Sequence, residues 1–242
     1  MLISIVIPVH NEAGNIGPLI NEIVQLSLKD LYQIVVVNDA SDDDTPRILS
    51  ESKKNIPALR VISLKEQRGQ SAAIATGVEQ SEGDLIVTMD GDGQNDPADI
   101  PRLVSALLED QTRRMVVGFR RNRKDSLWKI TSSKIANSVR SFLLKDNTPD
   151  AGCGLKAFYK STFTALPFFD HMHRFLPALI QMQGGRVISI EVNHRPRKRG
   201  RSNYGTLDRL WAGIIDVFRV YRMRTQSEKV AHKVAHKESL TT

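Results

Sequence analysis

Two aspartates separated by one glycine are the residues of this sequence whose spacing points most directly to chemistry. They stand in the run Asp90-Gly91-Asp92-Gly93-Gln94, which follows the apolar segment 84–89. Two carboxylates one residue apart can contact a single divalent cation together, and their hard oxygen atoms suit Mg²⁺ or Mn²⁺. Such a cation could also hold a diphosphate. An acidic turn can equally cap a helix or belong to a calcium loop, but no glutamate stands at the calcium-loop spacing.

Three other groups of polar residues also follow apolar segments. These groups are His10-Asn11-Glu12, Asn38-Asp39-Ala40-Ser41 and Gln67-Arg68-Gly69-Gln70. The Asp39 carboxylate, which only accepts hydrogen bonds, suits a nucleotide base, although an Asx-turn or the N-cap of the next helix would explain it equally well. Glu12 suits a ribose or base contact, or support of a helix dipole. Acidic or amide residues at four such positions together predict a binding site.

The positive charge of the chain is concentrated late in the sequence. The formal net charge is +7 and the pI is about 9.6. A basic run contains Arg195, Arg197, Lys198, Arg199 and Arg201. Such a run is typical of a solvated loop, or of a surface that binds phosphate, nucleic acid or anionic lipid.

Several function classes are disfavoured by what the sequence lacks. Cys153 is the single cysteine, so an intrachain disulfide is excluded, and we interpret this residue as a small buried side chain. The six histidines lack metal-ligand spacing. Neither a P-loop motif nor a Gly-x-Gly-x-x-Gly motif that opens a helix is present. Phosphate handling is therefore expected to depend on a metal and on cationic side chains.

The elements that must position these residues alternate between strands and helices, which is typical of a parallel sheet covered on both faces. The predicted strands are Ile3–Pro8, Gln33–Val37, Leu59–Ser63, Asp84–Met89, Met115–Gly118 and Val187–Asn193. The predicted helices are Gly14–Leu26, Asp43–Ser52, Gly69–Glu79, Ala98–Asp110, Asp125–Phe142 and Thr206–Met223. The polar groups then lie at the carboxyl ends of parallel strands, where open α/β sheets bind ligands.

The C-terminal region is expected to hold an amphipathic helix and then a tail. The helix Thr206–Met223 carries an apolar stripe flanked by arginines, so it could pack on its own domain or lie at a membrane interface. We predict one domain over residues 1–225 and a basic, disordered tail over residues 226–242. We find no signal peptide and no apolar run long enough to cross a membrane, so we expect a cytoplasmic or peripheral protein.

Together the motifs resemble the family-2 glycosyltransferases of GT-A fold, over about residues 1–220. The resemblance is carried by Pro8-Val9-His10-Asn11-Glu12, Asn38-Asp39-Ala40-Ser41, Gly69-Gln70-Ser71-Ala72-Ala73 and Asp90-Gly91-Asp92-Gly93-Gln94. Later segments resemble the branch of dolichol-phosphate mannosyltransferases and undecaprenyl-phosphate sugar transferases. These segments are Val117-Gly118-Phe119-Arg120, Lys129–Asn137, Asp150-Ala151-Gly152-Cys153-Gly154-Leu155-Lys156 and Arg197–Ser202.

The resemblance implies inverting transfer of a hexose-type sugar from a GDP- or UDP-linked donor to a polyprenyl phosphate at the cytoplasmic face of a membrane. It implies a Rossmann-like, mostly parallel sheet between helices. Its implied donor-site residues are Pro8, Asn11, Glu12, Asp39, Asp90 and Lys129, with Asp90, Asp92 and Gln94 holding Mg²⁺ or Mn²⁺. Its implied catalytic and acceptor-phosphate residues are Asp92, Arg120, Ser133 and Arg197.

Two residues depart from the pattern of this branch. Lys129 stands where arginine is common and loses the bidentate fork, and Asn203 stands where a lysine is common. Many relatives also carry transmembrane helices after the catalytic domain, so membrane contact here would depend on the basic run, the Thr206–Met223 helix or a membrane-embedded partner subunit.

Three alternative functions stay open at the level of sequence. A family-2 transferase could act on a glycan or protein acceptor, and a nucleotidyltransferase would share the metal–carboxylate chemistry. The basic run could instead make the chain a non-catalytic module that binds nucleic acid or anionic lipid. The basic run contains no aromatic residue for base stacking, so we expect no nucleic-acid partner.

Overall fold

Seven strands form one mixed sheet in the computed structural model, which describes residues 1–26, 31–121, 140–196 and 215–226. The strands are β1 (Leu2–Val9), β2 (Leu31–Asn38), β3 (Leu59–Ser63), β4 (Leu85–Thr88), β5 (Arg113–Phe119), β6 (Lys156–Tyr159) and β7 (Arg186–Glu191). Their order across the sheet is β3-β2-β1-β4-β6-β5-β7. The pairs that β6 forms with β4 and β5 are antiparallel, and the other pairs are parallel.

The helices cover both faces of this sheet. They are α1 (Ile16–Val24), α2 (Thr45–Asn55), α3 (Gln70–Glu79), α4 (Ile100–Leu108), α5 (Lys160–Thr164) and α6 (Leu176–Met182), with 3₁₀ turns at Pro97–Asp99 and Met172–Arg174. Residues 140–144 and 215–226 are also helical. None of the helices in these ranges is long and apolar enough to cross a membrane.

The central strands form because their residues are apolar on both faces, as expected for strands buried in a parallel sheet. In β1 every residue from Ile3 to Ile7 is buried. Helix α1 buries Ile16, Leu19, Ile20 and Ile23, whose spacing forms one helical stripe. One apolar cluster joins the sheet to α1 and α4, and a second joins its opposite face to α3 and α6. The expected α/β architecture is confirmed.

Strand order determines where the polar loops meet. The chain runs from β1 outward through β2 and β3, and then returns to place β4 on the other side of β1. In open α/β sheets a ligand crevice forms at the carboxyl ends of the strands on either side of such a switch point. Here the switch brings the loop after β1 beside the Asp90–Gln94 turn after β4.

The structure corrects several expected boundaries. Strand β6 was not predicted, and the helix expected over Ala98–Asp110 is a 3₁₀ turn followed by α4. Pro97 and Pro101 each stand at the start of their element, where proline needs no amide partner. Residue 226, expected to open the tail, is helical, and residues 227–242 lie outside the described residues. Residues 125–139 of the helix expected over Asp125–Phe142 and residues 206–214 of the helix expected over Thr206–Met223 lie outside them as well, whereas residues 215–223 are helical as expected.

Candidate active site

The Asp90–Gln94 turn is closed by its own hydrogen bonds. The backbone N–H of Asp90 donates to Asn95 Oδ1 at 3.3 Å, and the N–H of Gln94 donates to Asp92 Oδ1 at 3.0 Å. Gln70, the first residue of α3, donates from Nε2 to Asp90 Oδ1 at 2.8 Å. The turn therefore holds both carboxylates at the crevice between β1 and β4.

Asp90 is mostly buried and lies within electrostatic range of a second carboxylate, Asp92. Burial raises the pKa of the Asp90 carboxyl group, and the negative charge of Asp92 raises it further. The positive charges of Lys156 and Arg120 and the hydrogen bond from Gln70 act in the opposite direction. A cation beside this pair would remove the repulsion between the two carboxylates. A divalent cation is therefore chemically suited to this turn.

A buried lysine of β6 interacts electrostatically with Asp90. Lys156 is 3% exposed, pairs with Thr88 of β4 and Val117 of β5, and donates from Nζ to the carbonyl oxygen of Cys153. Burial lowers the pKa of Lys156, although the negative charges of Asp90 and Asp150 oppose that change. Cys153 is buried as expected, and burial raises the pKa of its thiol.

Arg120, an expected acceptor-site residue, is held in a bidentate ion pair at the end of β5. Its Nε and Nη2 atoms donate to the two carboxylate oxygens of Asp150 at 2.7 and 2.9 Å. Burial alone would lower the pKa of Arg120, but the hydrogen bonds and charge of Asp150 more than offset it and raise the pKa. Both side chains are mostly buried, so Arg120 is a fixed positive charge near Asp90.

Asp39 shapes a neighbouring loop. Its carboxylate accepts hydrogen bonds from the backbone N–H groups of Arg68, at 2.7 Å, and Gly69, at 2.8 Å. Gly69 has a φ of 85°, which is readily adopted only by glycine. The alternative that Asp39 caps the next helix is wrong, because Asp44 is the N-cap residue of α2. A base contact by Asp39 stays a prediction.

The loop after β1 is linked to the loop after β2. Asn11, with a left-handed φ of 57°, exchanges two hydrogen bonds with Asp42, at 2.6 and 3.0 Å. Glu12 Oε2 accepts from Asn15 Nδ2 at 2.6 Å, and Asn15 is the N-cap residue of α1. Pro8 lies within β1 and pairs with Val37. These residues line the same edge of the sheet as the carboxylates.

The expected site residues are therefore only partly described. Lys129, Ser133 and Arg197 lie outside the described residues. Gln94 lies in the acidic turn as expected, and its Nε2 lies 3.5 Å from the carbonyl oxygen of Arg195. In the described part of the chain, no group of three or more His, Cys, Asp or Glu side chains could hold a metal. A cation at Asp90 and Asp92 would then need further ligands from the donor phosphates or water.

The sequence motifs gave no individual role to three residues that the structure places in the site. They are Gln70, Asp150 and Lys156. All three stand inside motifs that carried the family resemblance. Charge could have identified two of them in the sequence, because Asp150 and Lys156 flank a short segment of small and apolar residues. A charged side chain in such a segment is expected to have a partner of opposite charge or a role in a site.

Two proteins named for polyprenyl phosphates are similar in sequence to this chain. The chain is similar to the dodecaprenyl-phosphate galacturonate synthase of Rhizobium johnstonii, at 35% identity over 227 residues, which are 90% of this chain and 66% of the relative. It is also similar to the undecaprenyl-phosphate 4-deoxy-4-formamido-L-arabinose transferase of Proteus mirabilis, at 36% identity over 85% of this chain and 63% of that protein. The chain thus spans slightly less than two thirds of the length of each of these relatives.

The fold is shared with a solved enzyme of lower sequence identity. The glucosyl-3-phosphoglycerate synthase of Mycobacterium tuberculosis, in complex with Mn²⁺, UDP-glucose and phosphoglyceric acid, superimposes with a TM-score of 0.70 and 22% identity. The match covers 92% of this chain and 79% of that chain. The family model for glycosyl transferase family 2 matches residues 4–166, more than half of the 242 residues, and this match includes Asp90, Asp92 and Arg120. The chain belongs to glycosyl transferase family 2.

Proposed function

We propose that this chain transfers a hexose-type sugar from a GDP- or UDP-linked donor to a polyprenyl phosphate, with inversion at the anomeric carbon. The observation that carries the proposal is the Asp90–Asp92 pair at the switch-point crevice, with the fixed positive charge of Arg120 nearby. Family membership argues against the nucleotidyltransferase and the nucleic-acid-binding module. The acceptor class is supported by the polyprenyl-phosphate names of the relatives.

Asp90 and Asp92 would hold Mg²⁺ or Mn²⁺, with Gln94 beside them. Two carboxylates, with other positions left for substrate phosphates and water, are a common magnesium arrangement in proteins. The bound cation would neutralise charge that develops on the departing nucleoside diphosphate. The 2.8 Å hydrogen bond from Gln70 Nε2 fixes the orientation of the Asp90 carboxylate. The Mn²⁺ and Mg²⁺ complexes of the M. tuberculosis synthase support this metal choice.

The residues near the carboxylates suit an anionic acceptor. A phosphate monoester is largely ionised at neutral pH and needs no strong general base to attack a sugar carbon. It needs positive charge that brings two anions together. Arg120 is the described residue that could contribute it, in a fixed orientation, although Asp150 balances part of its charge. Ser133 and Arg197 would complete the acceptor site, and Lys129 would contact the donor.

The similar proteins are named for sugars of more than one class. The two relatives carry names that contain galacturonate and 4-deoxy-4-formamido-L-arabinose, and the M. tuberculosis synthase was solved with UDP-glucose. The mannosyl transfer implied by the sequence resemblance therefore stays a prediction. An assay of donor specificity must include hexoses, uronic acids and amino-pentoses.

The helix over residues 215–226 would rest on the membrane surface. Val220 is fully buried, and His171 Nδ1 lies 2.9 Å from Asp216 Oδ2, so the inner face packs on the domain. The outer face carries large exposed apolar side chains and one arginine: Ile215 (60% exposed), Phe218 (57%), Tyr221 (40%) and Arg222. Arg219 instead lies over the Phe169 ring, 5.5 Å from its centroid. This combination suits anionic lipid at the cytoplasmic membrane face, with or without a membrane-embedded partner subunit.

The function is tested by offering labelled GDP- and UDP-sugars with undecaprenyl or dolichyl phosphate in the presence of Mn²⁺ or Mg²⁺. The expected result is label in the organic phase that disappears with EDTA. Label on soluble glycans or proteins, with none on lipid, would instead favour the alternative acceptor. A pyrophosphate product from a nucleoside triphosphate would contradict the glycosyltransferase mechanism.

Membrane contact is tested by flotation with vesicles of anionic or neutral lipid. Phe218→Ser is expected to weaken binding to anionic vesicles roughly tenfold, because full burial of a Phe side chain contributes about 1.5–3 kcal/mol and the 57% of Phe218 that is exposed could enter lipid. Leu31→Ser is the matched control, since Leu31 is 77% exposed at the start of β2, away from this helix. Equal binding by both variants would contradict the proposed surface.

A further inference from the structure

The first turn of α3 is hydrogen-bonded to the 3₁₀ turn Met172–Arg174. His173 Nδ1 lies 2.7 Å from Ser71 Oγ, and the backbone N–H of His173 donates to the same oxygen atom at 3.2 Å. Because a backbone N–H can only donate, both contacts are satisfied when the Ser71 hydroxyl group donates its proton to Nδ1. Ser71 is 4% exposed, so these contacts are shielded from water. His173 therefore holds the first turn of α3 at two atoms.

The 3₁₀ turn that carries His173 is itself anchored. Met172 and Phe175 are buried in the apolar cluster that joins the sheet to α3 and α6. The N–H of Phe175 donates to the carbonyl oxygen of Met172 at 2.8 Å. Close packing of such a cluster leaves its backbone little freedom to shift. His173, between these two residues, is therefore a fixed contact for α3.

Gln70, which donates to Asp90, stands between two residues of α3 that are held from outside the helix. On one side the N–H of Gly69 donates to Asp39 Oδ2 at 2.8 Å, and on the other side Ser71 contacts His173. The Gln70 side chain is exposed, so packing does not fix it. The position of its amide group therefore depends on the backbone that these two neighbours hold.

The His173 ring lies near the charges that act on Asp90. Burial lowers the pKa of His173 well below its usual value, and the positive charges of Arg174 and Lys156 lower it further. Lys156 also acts on Asp90. The ring is thus neutral at neutral pH and accepts a hydrogen bond without adding charge to the site. Such a group is suited to hold a neighbouring residue in place, and poorly suited to bind an anion.

We propose that His173 is a positioning residue that acts through Ser71 and Gln70 to hold the Asp90 carboxylate in the orientation that a divalent cation requires. This inference rests on the proposed function. The link consists of the His173–Ser71 contact, the peptide bond between Ser71 and Gln70, and the hydrogen bond from Gln70 to Asp90. Loss of the first contact frees the first turn of α3, and the Gln70 amide then holds Asp90 for a smaller fraction of the time.

The test is the dissociation constant of Mn²⁺ in the presence of UDP and, separately, of GDP, measured by calorimetry. Ser71→Ala and His173→Gln each remove the hydrogen bond between Ser71 and the ring. Each should raise the dissociation constant roughly fivefold, the factor that one ordinary hydrogen bond contributes. His173→Asn should restore the affinity of the unaltered chain, because an asparagine amide can occupy the place of Nδ1, whereas a glutamine amide occupies that of Nε2.

Two further variants separate positioning from stability. In a chain that already carries Gln70→Ala, His173→Gln should cause no additional loss of Mn²⁺ affinity, because the effect passes through the Gln70 amide. Ser81→Ala is the matched control, since Ser81 is also 4% exposed and donates from Oγ to the carbonyl oxygen of Gly77 at 2.6 Å, at the opposite end of α3. This control should leave the Mn²⁺ affinity unchanged.

Unaltered Mn²⁺ affinity in both Ser71→Ala and His173→Gln, with sugar still transferred to lipid, would overturn the positioning role while the proposed function stands. Equal losses in His173→Asn and His173→Gln, or a loss of the same size in Ser81→Ala, would also overturn it, since general loss of stability would then explain the effect. If the unaltered chain binds no Mn²⁺ with either nucleotide and transfers no sugar, the proposed function is wrong, and this inference is wrong with it.

Discussion

Replacing Gly154 with alanine should damage catalysis much more than folding. Gly154 lies just before β6, and the hydrogen bond from Thr88 Oγ1 to its carbonyl oxygen, at 2.8 Å, holds it at the end of β4. A Cβ atom at this position would lie 2.5 Å from Asp90 Oδ1 and closer still to the other carboxylate atoms. Ordinary contacts need about 3.5 Å, so the Asp90 carboxylate must move by about 1 Å.

Such a displacement has a predictable effect on rate. A misplacement of about 1 Å in a catalytic group can reduce the rate by on the order of 10²-fold. The movement also breaks the hydrogen bond from Gln70 to Asp90, but it costs little stability because the carboxylate is the end of a side chain. We expect kcat/KM to fall about 100-fold, the Mn²⁺ concentration for half activation to rise, and the Tm to change little.

Gly152→Ala is the matched control from the same turn. A Cβ atom there would lie 3.8 Å from its nearest neighbours, Arg120 Nη2 and Asp150 Oδ1, which is an ordinary contact. This variant should keep the activity of the unaltered chain. Activity of Gly154→Ala within about threefold of that of Gly152→Ala would refute the assigned position of Asp90.

Three further predictions follow from the same site. Asp92→Asn should abolish turnover while circular dichroism stays unchanged, and near-normal activity would remove the metal assignment. Asp150→Asn should lower the free energy of unfolding by about 3 kcal/mol in urea titrations, because it leaves the buried guanidinium of Arg120 without its charged partner; a change below about 1 kcal/mol would contradict this. Burial lowers the pKa of His173 well below 6.5, so the folded state resists protonation that the unfolded state accepts. The free energy of unfolding should therefore decrease below pH 6.5, by up to about 1.4 kcal/mol per pH unit, and His173→Gln should flatten that part of the profile.

The charged side chains buried in this site partly balance one another. Lys156, Arg120, Asp150 and Asp90 interact electrostatically within one region, so each charge is partly balanced by an opposite one. Removing the charge of any one of these side chains leaves an oppositely charged neighbour unpaired in a protein interior of low polarity. Mutations in this group are therefore expected to be non-additive.

Local pattern alone determined most of the sheet and the position of the acidic turn. Continuous apolar runs such as Ile34–Val37 identify buried parallel strands, because both faces of such strands are covered. Polar residues directly after these runs then fall at the carboxyl edge by topology. For this reason the pattern predicts that Asp39, Asp90, Asp92 and Gln94 all lie at the carboxyl edge of the sheet, and the family resemblance implies the same residues.

Only the tertiary structure decided which polar groups contact one another. Strand β6 has four residues and contains Lys156, so its pattern is too short and too polar to predict a strand. Its antiparallel pairing with β4 and β5 nevertheless brings Lys156, and the Arg120–Asp150 pair, into electrostatic range of Asp90. The pairing of Arg195 with Glu22 joins residues 173 positions apart. Sequence spacing carries information about neighbours along a helix or strand, whereas contacts between distant segments depend on how the whole chain packs.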